Sequence, residues 1–136
     1  MKKTLLSLLA VAAIAITSCT VSNDEPDNGF QVDPDNFKGN ITQGTVNLNA
    51  GVEYNLTGAL VVEEGAKLVI PAGTVIKASG GTSSYIAVAQ GAQIFIDGTS
   101  TNPVVMTSSK SNPAPADWGG LVICGKAPTN KGTTAT

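Results

Sequence analysis

Beyond residue 38 the hydrophobic and polar positions alternate in short runs broken by Gly, Asn, Pro and Ser, and no useful length of chain holds the 3.6-residue period of a helix. A period of two is the mark of half-buried strands. It predicts strands at Val46 to Leu48, Val52 to Leu56, Leu60 to Val62, Leu68 to Ile70, Val75 to Lys77, Ile86 to Val88, Ile94 to Ile96, Val104 to Met106 and Leu121 to Ile123. The pattern also repeats. Leu60 to Ile70 aligns without a gap onto Ile86 to Ile96, an offset of 26, and a third copy opens at Leu121, 35 residues after Ile86. The excess is the Ser- and Pro-rich stretch from Ser108 to Ala116, which reads as a loop.

A period in the twenties, made of strands separated by glycine turns, is what one coil of a parallel β-helix requires. Each coil buries its inward residues only against its own walls and the coils above and below. The chain holds about three such coils, which is the lower limit for a stable stack. Leu60, Val62, Leu68, Ile70, Ile86, Val88, Ile94, Ile96, Leu121 and Ile123 are expected to stack inward, and Lys67 and Gln93 to point outward at matching positions. Val69 and Phe95 share an outward column, so that face is expected to be covered, by the segment around Ile41 or by a partner. Gly65 with Gly91, and Gly73 with Gly98, recur at corners where positive φ is cheap only for glycine. The strand spacing also suits a small antiparallel β-sandwich, although hairpins alone do not produce a gap-free 26-residue repeat.

The first residues follow a different pattern. Lys2 and Lys3 precede Leu5 to Ile16, a run of twelve residues that is apolar except for Ser7, and Thr17 and Ser18 lead into Cys19. Basic end, apolar centre and small-residue site make a secretory signal, too short to span a membrane, which needs roughly 20 apolar residues. Ile16-Thr17-Ser18-Cys19 resembles the lipobox of bacterial lipoproteins. The resemblance implies cleavage between Ser18 and Cys19, a diacylglycerol on the Cys19 sulfur and an acyl group on the new amino terminus, which together suffice for stable anchoring. The organisation expected is therefore a signal peptide over 1–18, a lipidated cysteine and tether over 19–37, and a β-helix domain over 38–136.

Charge sharpens that division. The formal net charge is −2, but Asp24, Glu25, Asp27, Asp33 and Asp35 all lie before Phe37 with no base among them, beside Pro26, Pro34 and Gly29. So polar and self-repelling a stretch reads as a solvated tether. From Lys38 onward the six lysines slightly outnumber the acids. There is no arginine or histidine and no basic patch interleaved with aromatics, so nucleic acid is not an expected partner. With Cys19 acylated, Cys124 has no partner for an internal disulfide.

A second resemblance covers most of Lys38 to Asn130. Val62-Glu63-Glu64-Gly65-Ala66-Lys67-Leu68, Ile70-Pro71-Ala72-Gly73-Thr74-Val75-Ile76-Lys77, Asp117-Trp118-Gly119-Gly120-Leu121-Val122-Ile123 and Ala127-Pro128-Thr129-Asn130 look like the start of a group of Bacteroidetes surface lipoproteins built on a right-handed parallel β-helix. The resemblance implies an outer-membrane location, exposed at the cell surface, with Asn23-Asp24-Glu25 similar to the export signals of that group. It also implies that this chain is the first portion of a longer solenoid.

Chemistry is sparse. Without histidine no Cys-His or Ser-His pair can activate a nucleophile, and zinc has too few ligands. No metal or cofactor is expected. The best carboxylate pair for glycoside chemistry is Glu63 with Asp97, although the two are out of register in the repeat. Trp118, between Asp117 and two glycines, and Tyr85 are the side chains suited to stacking on a sugar, and an indole capping a corner of the coil is the simpler reading of Trp118. The expectation is a non-catalytic binding or structural lipoprotein whose partners are the membrane, surface glycans or other envelope proteins. The alternatives are the N-terminal part of a β-helix polysaccharide lyase or hydrolase, and a truncated remnant without a ligand.

Overall fold

The computed structural model describes residues 29–127. They form nine strands and two short 3-10 turns: β1 Phe37–Ile41, β2 Thr45–Asn47, β3 Glu53–Val62, β4 Lys67–Pro71, β5 Val75–Ala78, β6 Tyr85–Val88, β7 Gln93–Asp97, β8 Val105–Ser108 and β9 Gly120–Ile123. Every pairing between them is parallel. The sandwich alternative therefore falls, and the fold is an all-β parallel β-helix.

Three walls run along the stack. The first is made of β1, residues 60–62 of β3, β6 and β9; the second of β2, β4 and β7; the third of residues 53–56 of β3, β5 and β8. The repeat seen in the sequence is the physical register. Leu60 pairs with Ile86 and Lys67 with Gln93, both at the 26-residue offset, and Ile86 pairs with Leu121 across the long loop.

Two details depart from the strand expectations. Val52 to Leu56 and Leu60 to Val62 belong to one strand, because Thr57-Gly58-Ala59 stays extended through the corner. The segment around Ile41 does not cover the Val69 and Phe95 face. It is β1, the first rung of the first wall, and Ile41 lies wholly inside the core. Phe95 is accordingly left 44% exposed.

Inside, Phe37, Ile41, Leu56, Leu60, Val62, Leu68, Ile70 and Ile86 are fully buried. Buried Tyr54 packs its ring 5.2 Å from that of Phe37 and accepts a hydrogen bond at its hydroxyl from the Asn49 N–H at 2.8 Å, so its polar end costs nothing. Phe30 meets Phe37 edge to face, and Phe30 and Val32 close the first coil from above. The fold thus gathers in residues from Phe30 onward, eight positions before the boundary expected at Lys38. Burial fades at the other end. Ile94 and Leu121 are half-exposed, and Ile96 and Ile123, also expected to be inward, are exposed, because among the described residues no strand pairs with the far side of β7 or β9.

The corners explain the glycines. Ala66 N–H donates to Glu63 O and Ala92 N–H to Ala89 O, at 3.0 and 3.1 Å, closing equivalent turns in which Gly65 and Gly91 both have φ +84°. Gly73 is also left-handed, at φ +77°. Gly98 differs from the expectation: its φ is not positive, and what favours glycine there is the backbone N of Val104, 3.0 Å from where a Cβ would sit.

Candidate functional site

Ser18 and Cys19, the expected cleavage and lipidation positions, lie outside the described residues. The two expected ligand-stacking residues flank the corner that leads into β9, where Gly119 lies against Tyr85. Gly119 N–H donates to Ser84 O at 2.8 Å, and a Cβ on Gly119 would come within 2.8 Å of both Thr82 O and Tyr85 Cβ. Only glycine permits that approach, and it sets Trp118 beside the start of β6. Trp118 is half-buried and packs against the core, whereas Tyr85 starts an outward column in register with Gly120. Next along the same face come Val61, Ala87 and Val122, one beneath another. The first wall therefore carries a strip of small apolar side chains with a phenol at its edge. Such a surface can take the apolar face of a pyranose ring; it holds no group placed to move a proton.

The loop before Trp118 is tied to itself. The Asp117 carboxylate accepts from Lys110 Nζ and, at 2.7 Å, from the Ala114 N–H. With its side chain only 8% exposed it is the hub of the loop. These bonds, that from Lys110 first and that from Ala114 second, hold the Asp117 carboxyl below its ordinary value of 3.8. Ala116, next to Asp117 in this loop, stands at φ +68°, a conformation costly for any residue with a Cβ. Lys110 and Asp117 were not legible as a pair. The signal available was the insertion itself, since a loop that lengthens one coil needs its own closure.

Three other acids make contacts within the stack. Glu63 accepts from Asn40 Nδ2 at 2.8 Å across two rungs, and Glu53 pairs with Lys77 at 2.7 Å on the third wall. Glu64 lies 3.8 Å from Lys126. Glu63 and Asp97 occupy different corners, Glu63 after the first wall and Asp97 at the end of the second, so the fold does not bring the carboxylate pair together. Among the described residues there is no pocket and no group of three or more potential metal ligands. Cys124 is exposed, its backbone N–H bonded to Val88 O.

A family model described as a pectate-lyase-like β-helix domain matches residues 39–136. No curated protein and no solved structure matches the chain.

Proposed function

Because the chain belongs to the pectate-lyase-like β-helix domain family, we propose that it is an envelope lipoprotein, anchored through Cys19, whose β-helix serves binding or structure rather than catalysis. On this reading residues 1–18 are removed, the acylated Cys19 holds the protein at the outer membrane, and the first wall presents Tyr85, Ala87 and Val122 to surface glycans. The observation that carries it is the use made of the acids. Glu63, Glu53 and Asp117 are each engaged in a contact that holds a coil or loop together, which is the work of a scaffold. Radiolabelled palmitate fed to cells expressing the full chain tests the anchor: label in the wild type and none in Cys19→Ser is expected, and equal label in both removes the anchor from the account. Binding of the mature protein to envelope polysaccharides, weakened by Tyr85→Ala without a change in circular dichroism, tests the strip. Trp118→Ala is the poorer probe, because it also strips packing from the core.

The family description favours a second reading, the first part of a polysaccharide lyase or hydrolase whose chemistry lies in other coils. Release of unsaturated or reducing sugar ends by the mature protein would decide for it.

A further inference from the structure

We propose that the outward side of the second wall is a binding site for a neutral polysaccharide, with the Phe95 ring as the platform on which one pyranose stacks. The site is separate from the first-wall strip and independent of the Cys19 anchor; it rests on the reading that the β-helix serves binding. Val69 and Phe95 are register partners on that side, the first half-buried and the second exposed. Strand alternation sets four exposed polar side chains around them. Asn47 is the register partner of Val69 on the other side, Gln93 and Asp97 flank Phe95 along β7, and Lys67 pairs in register with Gln93. None of these four side chains makes a hydrogen bond or ion pair among the described residues. The contrast with other outward polar groups is direct: Asn40 donates to Glu63, Lys77 pairs with Glu53, and Gln90 donates to Gly125 O. Those groups hold coils together, whereas the second wall keeps amide, ammonium and carboxylate groups unused around an exposed aromatic ring.

Size and chemistry choose the occupant. Outward columns two residues apart stand about 7 Å from one another and rungs about 4.8 Å, so three columns by three rungs cover on the order of 150 Å². A stable protein interface needs about 800 Å² on each partner, far more than this patch offers. A pyranose ring matches it. Its apolar C–H face covers the phenyl ring, and its rim hydroxyls, which both donate and accept, meet the Gln93 amide on one side and the Asp97 carboxylate on the other. A second ring one rung away lies over Val69, with Lys67 and Asn47 beside it, so the glycan runs along the stack. Lys67 and Asp97 contribute one charge of each sign, which gives no net attraction to a uronate or sulfated chain.

Calorimetric titration of the mature protein with cellohexaose, a neutral chain of glucose rings with apolar faces, tests the site, with hexagalacturonate as the anionic comparison. Cellohexaose is expected to bind the more tightly. Phe95→Ala should weaken it about tenfold, as loss of a central aromatic anchor does, while Phe95→Tyr, which keeps the ring, should bind as the wild type does and so separates lost stacking from lost fold. Amide resonances over residues 67–71 and 93–97 are expected to shift on titration. Full affinity in Phe95→Ala overturns the second-wall site, and if Tyr85→Ala abolishes binding instead, the first-wall strip stands alone. Tighter binding of hexagalacturonate, or no binding of cellohexaose, also overturns the proposal. The first-wall reading, which names no particular sugar, is then decided by the envelope polysaccharides.

Discussion

Ile41 and Ile123 occupy one inward column three rungs apart, with Val62 and Val88 between them, yet Ile41 has no exposed surface and Ile123 is 60% exposed. The second wall repeats the contrast, where Ile70 is fully buried and its register partner Ile96 is 42% exposed. The side chains are alike and so is the backbone. What differs is the layer beyond: Phe30, Val32 and Phe37 close one end, while among the described residues no strand pairs with the far side of β7 or β9. In a stack of coils burial belongs to the neighbouring coil as much as to the residue.

The largest effect expected follows from this. Ile70→Ala should cost about 2–5 kcal/mol, the usual range for emptying a fully buried site. Ile96→Ala in the same column should cost about 1 kcal/mol, because two-fifths of the residue is already exposed to water and no further layer packs on it among the described residues. Urea midpoints of the two variants decide, and equal losses would break the comparison. Next in size is Gly73→Ala, where a Cβ would meet the Asn102 side chain of the last coil at 2.6 Å in addition to the strain of φ +77°. Gly51, at φ +73°, has no atom within 4 Å of such a Cβ, so Gly51→Ala carries the conformational cost alone, roughly 1–2 kcal/mol. A larger loss for Gly73 would show that the last coil is held to its neighbour despite its open side.

Phe30→Ala should cost about 1–2 kcal/mol by uncovering one side of the first coil and losing the edge-to-face contact with Phe37. Its sharper readout is faster amide exchange in β1, approaching that of β9. The smallest effect is confined to the loop. The Asp117 carboxyl is lowered by its partners, so the bonds it makes add stability above the ordinary carboxyl value near 3.8, and that stability is lost as pH falls through the lowered folded value. Asp117→Asn should open residues 109–117 to proteinase K at neutral pH with no measurable shift in the urea midpoint.

The middle of this fold was legible and its beginning was not, for a physical reason. Residues 60–70 and 86–96 keep one spacing because the corner between their two strands is the same turn, closed by the same hydrogen bond at Ala66 and Ala92. The first coil has shorter corners: Gly39 pairs with Leu60, 21 residues on, and Thr45 with Lys67, 22 on. β1 also carries a bulge between Phe37 and Gly39 and only two large apolar residues, Phe37 and Ile41, among polar Asn36, Lys38 and Asn40, so it was not among the expected strands. Of the candidate site, residue type alone singled out Trp118 and Tyr85. That Gly119 sets Trp118 against the core, and that Asp117 ties the loop, depends on contacts between segments with no shared pattern.

Amide hydrogen exchange along the walls tests the account most directly. It predicts the slowest exchange in residues 60–62 of β3 and in β4, slow exchange in β1 under its cap, and the fastest strand exchange in β7 and β9, whose far sides pair with no strand among the described residues. Uniform protection from β1 to β9, or β7 as slow as β4, would contradict it.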